Sequence, residues 1–156
     1  MFEGIMNVIL TTDFFASSLR LAAPLLLAAI GDIVSERSGV LNMGLDGMML
    51  MGAFFGFIGT YFTGSVWVGL ICAMLSALVL GIIHAFSCVT LGLNQVVTAV
   101  AINILSLGVT SSLLRTFFGT STNALRSTGF TPWKIPLLSD IPIIGPIFFN
   151  QTFLVY

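Results

Sequence analysis

Long apolar runs separated by short polar interruptions set the pattern of this chain. The first run, residues 14–34, is long enough to span a bilayer: about 20 helical residues at ~1.5 Å rise cover the ~30 Å hydrocarbon core. Three more follow at 43–62, 66–90 and 95–114. The interruptions between them carry turn chemistry: Ser38-Gly39, Thr63-Gly64-Ser65, and Gly92-Leu-Asn-Gln95. The pattern predicts an all-α, polytopic integral membrane protein with four full transmembrane helices. Residues 115–150, rich in Ser, Thr and Gly and holding every proline except Pro24, read as a long loop. A short helix is expected within it around Ile141 to Asn150. From about Phe148 the chain turns apolar again, as the start of a truncated fifth span. No repeat divides residues 1–156, so they read as part of a single transmembrane domain.

Inside the spans, a few positions break the apolar pattern. Arg20 lies two turns into the first and must snorkel to the interface or face protein. Pro24 removes a helical N–H and is expected to kink the helix unless the freed carbonyl finds another partner. In the third span Gly69, Ala73, Ala77, Gly81 and Ala85 recur every four residues, a face on which a neighbouring backbone can pack closely. His84 lies beside that face; with no second titratable group near it in sequence, it reads as a neutral, hydrogen-bonded packing residue. In the fourth span Gln95, Ala99, Asn103, Ser106 and Thr110 form a stripe at steps of four, four, three and four. Uncompensated polar groups are costly in hydrocarbon, so the stripe should face protein or a water-filled path. The spacing is compatible with either.

Composition agrees with a membrane setting. Hydrophobic residues make up 57% of the chain and charged residues 7%, against about a quarter charged in a typical soluble domain. The net charge of −1 gives no basic surface for nucleic acid. Cys72 and Cys88 lie in apolar runs with no metal-ligand spacing around them, and read as buried thiols. The first charges, Glu3 and Asp13, are acidic, so the basic region of a signal peptide is missing.

The charges that do occur are concentrated. Asp32, Glu36, Arg37 and Asp46 cluster around the junction of the first two spans, whereas residues 47–114 hold no Asp, Glu, Lys or Arg. Ser38-Gly39 can end one helix, since Gly tolerates backbone angles that other residues avoid. Asn42 is placed to cap the next through its side-chain oxygen. Asp46 follows one turn later, on the same face and near the positive end of the helix dipole. The expectation is a broken or re-entrant helix near 38–47 that begins partly inside the bilayer. Asp32, Glu36 and Arg37 read as a neutralised cluster at the preceding helix end.

The stretch Ser35-Glu-Arg-Ser-Gly-Val-Leu-Asn-Met-Gly-Leu-Asp-Gly-Met-Met-Leu-Met-Gly-Ala53 resembles the membrane subunits of bacterial ABC importers for simple sugars and nucleosides, the branched-chain amino acid and ribose-type permeases. It looks most like the nucleoside-type members. Leu93-Asn-Gln-Val-Val97 and Ser139-Asp-Ile-Pro-Ile-Ile-Gly-Pro-Ile-Phe-Phe-Asn150 resemble the same family. Asp46 departs from it, standing where the family often has Glu.

The resemblance implies a multi-pass subunit of the bacterial plasma (inner) membrane, and that these residues are the N-terminal part of a longer permease. It implies as partners a second permease subunit, cytoplasmic ATP-binding subunits and an extracellular solute-binding protein. It implies no cofactor, and no enzymatic role for the subunit itself. Consistently, the residues hold no G-x-x-x-x-G-K-[ST] phosphate loop, no G-x-S-x-G elbow and no H-E-x-x-H helix. The candidates for lining a solute pathway are Asn42, Asp46, Asn94, Gln95, Asn103 and Ser106. An ion-coupled transporter or channel using Asp32 and Asp46 is the alternative, since broken helices serve those proteins too. Arg115, Arg126 and Lys134 would place the long loop in the cytoplasm by the positive-inside rule, whereas the resemblance places it outside.

Overall fold

The computed structural model of the chain describes residues 12–119, 129–130, 132–134, 150–152 and 155. Four long helices carry it: α1, Thr12–Arg37; α2, Leu45–Thr63; α3, Val66–Ala85, continued by a π-helical turn over Phe86–Thr90; and α4, Gln95–Phe118. Each is long and apolar enough to cross a membrane. α1 continues through Pro24 without interruption. α4 runs one turn past the expected end at Leu114, so Arg115 lies inside its last turn rather than beyond it.

Two three-residue strands, β1 (Pro132–Lys134) and β2 (Asn150–Thr152), pair antiparallel with Trp133 opposite Gln151. At the expected start of a fifth span, Asn150–Thr152 are extended. Their backbone groups are taken up by β1, eighteen residues upstream. The short helix expected around 141–150 falls outside the described residues, apart from Asn150.

The chain forms two compact units. One comprises residues 1–29 and 130–156, and its described parts are the first two-thirds of α1 and the β1–β2 ladder. The other, residues 30–129, holds α2, α3 and α4.

In the second unit α2 and α3 form a tight antiparallel pair. Gly64, in the left-handed conformation at φ 69°, ends α2, its N–H donating to Thr60 O. The approach depends on missing side chains. A Cβ on Gly56 would lie 3.2 Å from Ala73 Cβ, and one on Gly59 would lie 3.1 Å from Gly69 Cα. The small-residue face of α3 is thus a packing face from Gly69 to Ala77. Gly81, on the same stripe, has nothing within 4 Å. A small core of Met48, Leu80 and Ile102, flanked by Met51 and Ala77, ties α4 to the pair. The outward face of α3 is aliphatic, with Leu78 and Ile82 both more than half exposed, as a lipid-facing surface requires.

Antiparallel α2 and α3 put residues 63–65 and 91–94 at opposite ends. In the full-length protein, single cysteines at Ser65 and Leu93 should react with a membrane-impermeant thiol reagent from opposite sides of the membrane. Labelling of both from one side would contradict the fold.

Candidate functional site

Between Arg37 and Leu45 the chain is not helical, and its peptide groups need partners. α1 closes with the bonds of a glycine C-cap: Gly39 N–H donates to Glu36 O at 2.9 Å and Val40 N–H to Ser35 O at 3.4 Å, with Gly39 at φ 87°. The Ser35 hydroxyl donates to Val40 O at 3.0 Å.

Beyond this point the break is held from other helices. Leu41 N–H donates to Gln95 Oε1 at 2.8 Å, and Gln95 Nε2 donates to Gly39 O at 3.3 Å. Asn103 repeats the arrangement two turns further along α4: Nδ2 donates to Met43 O at 3.2 Å, and Oδ1 accepts from Gly47 N–H at 2.8 Å. A carboxamide suits both places because it offers a donor and an acceptor together. From α3, His84, almost fully buried, lies with Nε2 3.3 Å from Leu41 O, and with the proton on Nε2 it donates to that carbonyl. Cys88 Sγ packs 3.7 Å from the same ring. The buried, hydrogen-bonded packing role expected for His84 is the one observed.

This geometry corrects the expected cap. Gly44, not Asn42, precedes α2, and it makes no side-chain cap bond. The first-turn N–H of Gly47, three residues after Gly44, is bound by Asn103 Oδ1, so α2 is capped from another helix. Asn42 Oδ1 is buried without a hydrogen-bond partner, and its Nδ2 lies 3.7 Å from Met48 Sδ. The charged cluster is corrected as well. No ion pair joins Asp32, Glu36 and Arg37 among the described residues, and Asp32 Oδ1 is buried without a hydrogen bond.

The contacts fix a depth. Asn103 is eight residues into α4, about 12 Å along its axis, and it touches the first turn of α2. α2 thus begins well inside the thickness that α4 spans.

Asp46, in that first turn, is exposed and makes no hydrogen bond or ion pair among the described residues. With Gly47, Leu50, Asn103, Ile104 and Leu107 it lines a groove of about 270 Å³ between α2 and α4. Asp46, Leu50, Phe57 and Tyr61 continue along one side of α2. At the far end Tyr61 meets Phe118 edge-on, ring centroids 5.1 Å apart. On α4 the row Asn103, Leu107, Ser111, Arg115 recurs every four residues, flanked by Gly108 and Ser112. Ser111, Ser112 and Arg115 are all exposed.

The remaining candidates are placed otherwise. Asn94 caps α4, accepting from Val96 N–H at 2.9 Å and Val97 N–H at 3.3 Å. Ser106 is fully buried, with Oγ facing Gly47 and no hydrogen-bond partner. Ala99 and Thr110 are buried with it. The stripe at Gln95, Ala99, Asn103, Ser106 and Thr110 is therefore the packing side of α4. Its exposed polar row is one that the sequence pattern did not single out. The available signal was Gly108, Ser111, Ser112 and Arg115, small and polar residues at helical spacing, on a face offset from the stripe.

Three relatives frame this arrangement. A protein named as a glucose ABC transporter permease, from Haloferax volcanii, is 39% identical over 140 residues, covering 87% of this chain and 41% of the relative. A guanosine ABC transporter permease of Bacillus subtilis is 38% identical over 143 residues, covering 88% and 45%. A nucleoside ABC transporter permease of Lactococcus lactis is 31% identical over 155 residues, covering 94% and 48%. The chain thus spans less than half the length of each of these relatives. No solved structure matches it. The family described as branched-chain amino acid transport system, permease component, matches residues 14–148, nearly the whole of the four-helix fold and its polar break. The chain is a multi-pass membrane protein and belongs to that permease family.

Proposed function

We propose that this chain forms part of the membrane-spanning permease subunit of an ATP-driven ABC importer that moves a simple sugar or a nucleoside across the bacterial plasma membrane. The observation that carries the reading is the Asp46 carboxylate, unpaired among the described residues. It sits beside Asn103 in a groove at a helix start buried within the membrane's thickness. A carboxylate at that depth cannot rest in lipid, so the groove faces water or further protein. The names of the relatives favour an importer over the ion-coupled alternative.

A neutral, hydroxyl-rich solute needs a few fixed donors and acceptors along an otherwise apolar path. Asp46 supplies acceptors at the break end, where Asn103 holds the backbone on either side of it. Ser111, Ser112 and Arg115 supply donors and acceptors further along α4. Gln95 serves the path by holding the break, while Asn94 and Ser106 serve the fold. Transport requires a second permease subunit, cytoplasmic ATP-binding subunits that hydrolyse ATP, and an extracellular solute-binding protein.

The test is uptake of radiolabelled guanosine and glucose by the complete transporter. Asp46→Asn keeps shape and removes charge. It should raise KM about tenfold, the worth of one charge-assisted hydrogen bond, and leave expression and solute-independent ATPase activity near wild type. Unchanged uptake kinetics would remove Asp46 from the pathway.

A further inference from the structure

We propose that Gln95 and Asn103 are positioning residues, two side-chain amides on one helix that set the shape of the α1–α2 break and thereby place the Asp46 carboxylate in the α2–α4 groove. The part that concerns solute rests on the transport reading above; the part that concerns geometry does not.

Each amide spans a short piece of irregular backbone, binding one carbonyl and one N–H. Gln95 spans Gly39 to Leu41, and Asn103 spans Met43 to Gly47. Asp46 lies inside the second piece, one residue before the bonded N–H. Among the described residues its own side chain has no bond to hold it. Its position is set by the backbone on either side, and so by Asn103. Close contact reinforces the hold, since Gly47 brings its Cα against the Asn103 side chain. A Cβ there would lie 2.7 Å from Asn103 Oδ1. Both amides stand on the same helix two turns apart, so a displacement of α4 along its axis carries the break and Asp46 with it.

A side chain with only half the bonding capacity should release the carboxylate without dismantling the helices. Asn103→Asp keeps the size and the acceptor for Gly47 N–H. It loses the donor to Met43 O and places a carboxylate against that carbonyl. In the full-length permease assembled with its partners, the rate at which Asp46→Cys reacts with a small methanethiosulfonate reagent reads the geometry without any solute. Cys72 and Cys88 set the background, measured in the parent protein. Asn103→Asp should change the Asp46→Cys rate at least about fivefold. The rate at Ser112→Cys, on the exposed face of α4, should stay within about twofold.

In the otherwise wild-type protein, Asn103→Asp should raise the KM for labelled guanosine or glucose and leave maximal uptake per folded transporter near its original value. A purely structural lesion would instead lower the amount of folded transporter and leave KM unmoved. If Asn103→Asp does not yield folded protein, Gln95→Ala carries the test. It frees Gly39 and Leu41, and should speed labelling at Val40→Cys several-fold. Unchanged labelling at Asp46→Cys in Asn103→Asp, or at Val40→Cys in Gln95→Ala, overturns the proposal. A changed labelling rate together with normal uptake in Asp46→Asn would instead leave the positioning intact and refute the transport path.

Discussion

Gly69→Ala should prevent stable assembly of the permease. A Cβ at that position would lie 2.7 Å from Gly56 O and collide with the Thr60 hydroxyl. That hydroxyl is itself bonded to Gly56 O at 2.9 Å. A side chain could rotate away, but the carbonyl belongs to a helix and cannot. The α2–α3 pair would have to separate along its length and give up contacts at Gly56 and Gly59 as well. Overpacking of a tight contact costs about 1–3 kcal/mol and sometimes more, and here the obstacle is backbone. The measurement is thermal stability of the full-length protein in detergent. Gly81→Ala is the control, because that glycine shares the stripe but has nothing within 4 Å. Equal melting of the two variants would contradict the α2–α3 contact. Thr60→Ala should rescue Gly69→Ala only in part, since Gly56 O remains.

Gly47→Ala should act at the second close contact. Its Cβ would meet Asn103 Oδ1 at 2.7 Å, and Asn103 Cα and Ser106 Oγ at 2.9 Å each. The change pushes α2 off α4 and opens the bond that caps α2. The expected cost is about 1–3 kcal/mol for the overpacking and about 1 kcal/mol more for the cap. Gly44→Ala, three residues earlier, meets its nearest atoms at 3.5 Å. That is ordinary contact, and it should be tolerated. Melting temperature and uptake measured together separate the two. Gly47→Ala should lose both, and Gly44→Ala neither.

The helices were legible because apolar length and turn residues are local properties. Ser38-Gly39 ended α1 and Thr63-Gly64-Ser65 separated α2 from α3, each through a glycine at positive φ. The small-residue face of α3 was legible too, because its period is written in one segment. The cap of α2 was not. Asn42 stood in the right place for a local cap, but the side chain that does the capping lies 56 residues downstream of the Gly47 N–H it binds. The polar stripe on α4 gave no direction for a related reason. Periodicity groups Gln95, Asn103 and Ser106 on one side but does not say what that side meets. It meets α2 and the break before it, where Gln95 and Asn103 hold backbone and Ser106 is buried, and the available polar groups are Ser111, Ser112 and Arg115. The π-helical turn at Phe86–Thr90, closed by Leu91 N–H on Phe86 O at 3.2 Å, had no signal in the residue pattern.

The order of synthesis gives the break a history. Leu41 is bonded to Gln95, 54 residues later, Gly47 to Asn103, 56 later, and Met43 to the same amide, 60 later. A chain made at roughly 5–20 residues per second leaves these peptide groups without their partners for about 3–12 s. Hydrocarbon offers no substitute partner in that interval. The α2–α3 hairpin can close by itself, because its contacts are between glycines and small side chains already made. The head of α2 cannot sink to its final depth until α4 arrives beside it. The start of α2 therefore stays at the wet edge of the membrane or inside the insertion machinery while α3 is made, and reaches its place only as α4 is inserted.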